Sequence, residues 1–262
     1  MRALHAVLLA ALVSPLCAQT TSVRDLLSSA RQQIQSADYR VTGQLVWVQS
    51  NGVRISFPVT IKARWFSGVL RVLADIGGAS RAARGATTGA ESATHVLLEM
   101  RPNGQSEVWV AHPGDKSASA LPFEKWSNGP NGSGFSYEDL LEDQYFWAGQ
   151  ASDGKAKFGA RDCEVVRSTP GPTDKTHYTV VKTWFDPSIA FPVYVEKTVK
   201  ETGAVKQFTY FGIRHDEGVW SAHQIEERTR GEAGSTLLIF DRGSAKANLT
   251  SNDFSLAQLI RF

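Results

Sequence analysis

The second half of the chain is a succession of β-strand patterns separated by short turns that carry glycine or proline. Connections this short join antiparallel neighbours, whereas parallel strands need much longer crossovers. This half therefore predicts an antiparallel meander. The expected strands are Cys163–Ser168, Thr176–Asp186, Val193–Lys200, Val205–Ile213, Val219–Arg230 and Thr236–Leu249.

The first half adds further strand patterns, including a hairpin across residues 50–52 and another across residues 102–104. A flat open sheet does not tolerate ten or eleven strands without curling. The sequence therefore predicts a mainly β fold, a strongly curved antiparallel sheet with two or three helices against its concave face. The expected strands here are Tyr39–Gln49, Val53–Phe66, Val69–Ala74, His95–Met100 and Glu107–Ala111.

Two segments have the pattern of capped amphipathic helices. Residues 22–37 begin with Ser22 and Asp25 in a capping box, and residues 136–147 begin with Ser136 followed by Asp139. The second segment also repeats apolar residues at helical spacing, so we expect it to bury one face against the sheet. The stretches 77–92 and 112–134 lack periodicity and indicate a surface loop and a linker. The closing apolar segment, residues 254–260, is expected to be helical or irregular.

The first eighteen residues have the pattern of a cleavable secretory signal. A basic start at Arg2 precedes the short apolar run Ala3–Val13, which is too short to span a bilayer. We expect cleavage after Ala18, export to the periplasm, and a single domain over residues 19–262. The alternative is a lipid anchor on Cys17, although Leu16 is bulkier than the residue such signals carry at that position.

The charge balance argues against some partners. The formal net charge is +2, and it falls by one if Arg2 is removed with the signal. Such a balance gives no electrostatic basis for nucleic-acid binding or for a polybasic membrane-binding surface. We therefore expect no nucleic-acid partner.

Motifs for catalysis are missing from the sequence. It has no zinc-binding His-x-x-x-His spacing, no phosphate-binding glycine loop and no Gly-x-Ser-x-Gly elbow. The acidic residues Glu138, Asp139, Glu142 and Asp143 are interpreted as a solvated helix face. We expect no enzyme activity, no cofactor and no metal. A hydrolase that uses Glu138 or His177 is a minor alternative.

The aromatic residues are more informative. Several strands, such as the one that contains Leu45 and Trp47, are apolar on both faces, so both faces must be covered or one must line a cavity. We therefore predict a hydrophobic pocket or groove. Its candidate lining residues are Trp47, Phe57, Trp65, Trp109, Tyr137, Leu141, Phe146, Phe208 and Tyr210.

The order of several short motifs resembles that of the outer-membrane lipoprotein-sorting proteins, in the uncharacterised branch of the LolA/LolB-like superfamily. The resemblance covers roughly residues 25–262, and its most specific piece is Gly134-Phe-Ser-Tyr-Glu-Asp-Leu140. Other pieces are residues 107–113 (EVWVAHP), 191–196 (FPVYVE) and 236–240 (TLLIF), with Trp184-Phe-Asp-Pro187 between them.

The resemblance implies an unclosed half-barrel whose apolar hollow accepts acyl chains of lipids or lipoproteins beneath a helical lid. It also implies a monomeric carrier that exchanges its cargo with a membrane-bound donor or acceptor protein. An arginine governs lid opening in such carriers, and Arg40, Arg64 or Arg71 are candidates here, with no motif to select one. The alternative function is a periplasmic protein-interaction or sensor domain on the same fold.

Overall fold

A computed structural model describes residues 22–77, 80–81, 93–102 and 104–261. The expected signal sequence with Cys17, and most of the expected loop at 77–92, lie outside the described residues.

Strands dominate the described part of the chain. They are β1 Asp38–Val48, β2 Arg54–Phe66, β3 Val69–Ile76, β4 Ser80–Arg81, β5 Thr94–Met100, β6 Glu107–Ala111, β7 Ser119–Ala120, β8 Gly149–Phe158, β9 Arg161–Thr169, β10 Tyr178–Asp186, β11 Phe191–Val199, β12 Val205–Phe211, β13 Arg214–Asp216, β14 Val219–Ser221, β15 Gln224–Thr229 and β16 Ser235–Ser244.

These strands form one large antiparallel sheet, in the order β7-β6-β5-β3-β2-β1-β16-β15-β12-β11-β10-β9-β8. Strand β4 pairs with β2 outside this path, and β13 and β14 form a separate ribbon. The path ends at β7 on one side and β8 on the other, so the sheet is open. The predicted open antiparallel sheet is therefore confirmed.

One face of the sheet, here called the inner face, carries the larger apolar cluster. Its side chains come from strands along the whole sheet, for example Val72 of β3, Val181 of β10 and Leu238 of β16. Helix α1, Val23–Gln35, packs its buried residues Leu26 and Ile34 into this cluster. The predicted capping box of Ser22 and Asp25 is present at its start.

The opposite, outer face carries a smaller cluster. Neighbouring residues of β3 separate between the faces, since Val72 belongs to the inner cluster and Leu73 to the outer one. Helix α2, Leu256–Leu259, and the turn before it cover the outer cluster through Phe254 and Leu259. Strands that are apolar on both faces are thus covered on both sides in this part of the sheet.

The helix expected over residues 136–147 is replaced by two 3-10 turns, Glu138–Leu140 and Asp143–Phe146. Glu142 lies between them with a φ of 47° in the left-handed region, which interrupts any continuous helix. No helix in the described residues is long and apolar enough to cross a membrane.

Candidate functional site

An irregular stretch, residues 121–147, lies across the inner face and is here called the cover segment. It contributes bulky side chains to the inner cluster, among them Trp126, Phe135, Leu141 and Tyr145. Helix α1 contacts it as well, because Arg31 Nε donates a hydrogen bond of 2.7 Å to the carbonyl of Tyr145. The segment and α1 therefore occupy the place that a lid over the sheet would take.

Gly134 brings the cover segment into close contact with the sheet. Its N–H donates to Thr236 Oγ1 on β16 at 2.8 Å. A Cβ at this position would fall on the carboxylate of Glu227 from β15 and 2.9 Å from Thr236 Oγ1. Only glycine allows this approach without displacing a neighbour.

Asp139 anchors the cover segment through buried charge. Its side chain is fully buried, and Oδ1 accepts a hydrogen bond of 2.7 Å from Tyr178 and lies 3.1 Å from Lys197 Nζ. Oδ2 accepts from Lys206 Nζ and from the N–H and hydroxyl of Ser136. We call these five residues the Asp139 cluster.

The two lysines of the Asp139 cluster stand directly opposite each other on neighbouring strands, β11 and β12. Their side chains are only 6% and 12% exposed. Like charges in this register repel each other, and buried charges require a partner. Burial raises the pKa of Asp139, but Lys206 and Lys197 outweigh that effect and hold the pKa well below its usual range.

Glu138 makes a second buried anchor beside the first. Its carboxylate accepts from the Thr176 hydroxyl, and its Oε2 lies 2.9 Å from His177 Nδ1. The hydrogen bond to Glu138 raises the pKa of His177, and the imidazole stacks on Phe123 of the cover segment at 4.1 Å. The interpretation of these acids as a solvated helix face is therefore wrong for Glu138 and Asp139.

Burial raises the pKa of three more carboxyl groups beneath or within the cover segment, those of Glu227, Glu142 and Asp143. Burial raises the pKa of Glu227 to about 7, with a partly offsetting contribution from Lys206. Burial, reinforced by Glu138, also raises the pKa of Asp143 to about 7. Glu142 accepts a hydrogen bond of 3.2 Å from the hydroxyl of Tyr210 on β12.

A small apolar cavity of about 20 Å³ remains between the cover segment and the sheet. Space of this size holds about one water molecule and no acyl chain. The cavity is lined by Leu45, Val59, Ile61, Ala74, Ile76, Pro130, Phe135, Leu140 and Leu238. The inner face is therefore filled by the protein's own side chains in this conformation.

The structure brings seven of the nine candidate pocket residues to the inner cluster. Trp109 instead packs against the outer cluster, where it lines a groove with Leu97 and Phe254. Trp47 is half-buried and belongs to neither apolar cluster. The seven residues of the inner cluster are Phe57, Trp65, Tyr137, Leu141, Phe146, Phe208 and Tyr210.

The three candidate lid arginines lie away from the cover segment. Arg64 donates to the carbonyl of Leu249 near the chain end, and Arg71 pairs with Glu99 at the outer groove. Arg40 is exposed on β1. Arg31, which sequence reasoning did not single out, is the arginine whose hydrogen bond reaches the cover segment among the described residues.

Sequence reasoning also missed Lys197 and Lys206. A signal was present, because Lys197 follows Val193 and Val195 at alternating positions, and Lys206 precedes Phe208 and Tyr210 in the same way. A lysine in the inward-facing register of an apolar strand indicates a buried partner. The described residues contain no group of three or more His, Cys, Asp or Glu side chains that could hold a metal ion.

The sequence matches a family model. The model is described as an uncharacterized protein and covers residues 86–261, which is more than half of the chain. No curated protein matches the sequence at a significant level.

Several solved structures share the architecture. A domain described as an outer membrane lipoprotein-sorting protein from Vibrio parahaemolyticus aligns with a TM-score of 0.76 at 20% identity, covering 92% of this chain and 100% of its own. A DUF1329 family protein from Desulfovibrio piger aligns with a TM-score of 0.74 at 16% identity, covering 90% and 97% of the two chains.

A LolA superfamily protein from Nitrosomonas europaea aligns with a TM-score of 0.64 at 14% identity and covers 92% of this chain and 100% of its own. At these identities the likeness concerns the fold. The chain therefore belongs to the uncharacterized protein family that its sequence matches, and its fold is the open half-barrel of the LolA superfamily.

Proposed function

We propose that the protein is a non-catalytic periplasmic carrier that buries acyl chains of a lipid or lipoprotein on the inner face of its half-barrel. The observation that supports this most is the apolar contact between the cover segment and the sheet. A small cavity in this contact is lined entirely by apolar side chains. Each methylene group buried there would contribute about 0.8 kcal/mol to binding.

Loading requires the cover segment to lift, since the described conformation has no room for a chain. The build of the segment suits such a movement. It consists of four short 3-10 turns joined by irregular stretches, and besides its apolar packing it is held by polar contacts at Gly134, Glu138 and Asp139. Segments held by few regular backbone hydrogen bonds open at lower free energy than core strands.

The named solved structures add support of a general kind. One is described as a lipoprotein-sorting domain and another as a LolA superfamily protein. Their fold makes carriage of an acyl-bearing ligand the function that best fits the inner face. Export and exchange with a membrane-bound donor or acceptor are part of the proposal.

Native mass spectrometry tests the proposal. The mature protein would be purified gently from a periplasmic extract, and any bound species identified after denaturation. We expect a lipid or acylated peptide at near-stoichiometric occupancy, or uptake of dioctanoylglycerol by the apo protein. A clean apo mass with no uptake of either dioctanoylglycerol or dioctanoylphosphatidic acid contradicts the carrier function.

A protein-interaction domain is the second candidate, because the inner face is filled by the protein itself. Its binding surface would then be an open sheet edge such as β8. However, Lys155 and Lys157 are strongly exposed on β8, and the strand pairing is irregular between Ser152 and Lys155. Charged side chains and bulges are the features that protect edge strands from pairing. This edge therefore favours the carrier function.

A further inference from the structure

The Asp139 cluster has a consequence for the ligand if the cover segment lifts. Asp139 belongs to the cover segment, whereas Lys197 and Lys206 belong to β11 and β12 of the sheet. Opening would therefore remove the carboxylate and leave both ammonium groups on the inner face. Separating one partner from a buried ion pair leaves a buried charge uncompensated, which strongly disfavours the opened state unless another anion takes its place.

The surroundings of the two lysines offer little other compensation. Lys197 Nζ lies 5.2 Å from the ring centre of Tyr178 and 5.0 Å from that of Phe208. Lys206 Nζ lies 5.6 Å from the ring centre of Phe208. Aromatic faces attract cations, but less strongly than a carboxylate or phosphate partner does.

Among the described residues of the sheet, the acidic group that faces the same place is Glu227 on β15, which lies beside Gly134 and interacts with Lys206. Glu142 and Asp143 also act on Lys197, but both belong to the cover segment and would move with it. Even an ionised Glu227 would leave two ammonium groups facing one carboxylate. The opened inner face therefore keeps an excess of positive charge beside its apolar surface.

We infer that the cargo is an acyl chain with an anionic head group, and that Asp139 occupies the head-group site between Lys197 and Lys206 while the carrier is empty. The inference rests on the proposed carrier function and specifies its ligand class. The two opposed lysines give the site the geometry to share the oxygens of a phosphate or carboxylate.

Paired probes with identical chains test the inference. The affinities of the mature protein for dioctanoylphosphatidic acid, dioctanoylglycerol and inorganic phosphate would be measured by calorimetry at low salt. We expect phosphatidic acid to bind at least about tenfold more tightly than dioctanoylglycerol, since charge-assisted hydrogen bonds contribute at this scale. Added salt should reduce this preference.

The outcomes separate the two proposals. Equal affinity for the two diacyl probes overturns the head-group inference and leaves the carrier function standing. Binding of neither probe overturns both. Inorganic phosphate that binds as tightly as phosphatidic acid reveals an anion site without an acyl contribution, which also overturns both.

A charge-balanced variant checks the residues. The double substitution Asp139→Asn with Lys206→Met removes one charge of each sign and should lower the preference for phosphatidic acid to below about threefold. The matched control is Asp162→Asn with Lys157→Met, which removes an ion pair whose side chains are 83% and 74% exposed. If the Asp139→Asn, Lys206→Met variant keeps the full preference for phosphatidic acid, the proposed head-group site is contradicted. If that variant fails to fold, the comparison of the three probes on the wild-type protein still tests the inference.

Discussion

At the scale of single residues, Asp139 is notable for the number of polar contacts that its carboxylate makes with other described residues. Five groups contact its carboxylate, from Tyr178, Lys197, Lys206 and twice from Ser136. Its removal leaves two buried cations without their anion. The importance of Asp139 therefore comes from the charges it neutralises more than from its own volume.

We expect Asp139→Asn to lower the free energy of unfolding by about 3–5 kcal/mol, because it breaks a buried ion pair on one side only. Urea denaturation monitored by tryptophan fluorescence measures the change. The control is Asp162→Asn, at an exposed ion pair, where the change should stay below about 1 kcal/mol. Similar losses in both variants would contradict a special role for the buried cluster.

Stability should depend on pH in two opposite directions. The lowered pKa of Asp139 contributes stability above its usual value of 3.8, and this contribution is lost as the pH falls towards the lowered pKa. The raised pKa of Glu227 acts the other way, so stability is lost as the pH rises from its usual value of 4.5 to about 7. Asp143 adds a loss in a similar window, and His177 loses its contribution as the pH rises above 6.5.

The variant Glu227→Gln should therefore flatten the fall in stability between about pH 4.5 and pH 7. At pH 8 it should be more stable than the wild type, by up to about 3 kcal/mol, because no buried carboxylate has to ionise. Denaturation midpoints measured from pH 4 to pH 8 check this. An unchanged slope would show that Glu227 does not carry the titration.

At the scale of elements, the cover segment is held to the sheet at a few defined points. One of these points is Gly134, where Glu227 and Thr236 occupy the space that a side chain would need. Residues 136–147 of the cover segment also form 3-10 turns instead of the helix that their sequence favours. The contacts of Gly134, Glu138 and Asp139 with the sheet and with the residues just before β10 therefore define the conformation of the cover segment.

We expect Gly134→Ala to push the cover segment away from β15 and β16, with a loss of about 1–3 kcal/mol in the free energy of unfolding. Hydrogen exchange should show reduced protection of amides in residues 134–141, and uptake of dioctanoylglycerol should become faster. Gly171→Ala is the matched control, because its Cβ would meet only ordinary contacts of 3.4 and 3.5 Å. Unchanged protection in residues 134–141 would contradict the proposed attachment.

At the scale of the whole molecule, the sheet separates two apolar clusters. The inner one meets the cover segment and α1, whereas the outer one meets the C-terminal segment with α2. Trp109, once a pocket candidate, belongs with the outer cluster. Stability and ligand binding should therefore respond differently to changes on the two faces.

The pair Phe57→Ala and Phe254→Ala tests this separation, since both side chains are almost completely buried, at 0% and 2% exposure. Each should lower the free energy of unfolding by about 3–5 kcal/mol. Only Phe57→Ala should change the affinity for dioctanoylglycerol by more than about threefold, because Phe57 belongs to the inner cluster. Equal effects on affinity would place the ligand elsewhere.

Local sequence patterns are sufficient to predict the antiparallel sheet and helix α1. Alternation along a strand, short glycine-rich turns and the capping box of Ser22 and Asp25 act between neighbours in the chain, so they can be recognised locally. The same local rules predicted a helix at 136–147, and there tertiary contacts prevailed. The capping contacts of Ser136 and Asp139 formed, but Glu142 turned out of the helical conformation.

The environment of the acidic residues depends on contacts between distant parts of the chain. Asp139 meets Lys206 across a sequence separation of 67, and the opposition of Lys197 and Lys206 depends on the register of β11 and β12. Such contacts require the cover segment to lie on the inner face, which no local pattern specifies. Long-range packing therefore turned a charge run that resembled a solvated surface into the buried centre of the candidate site.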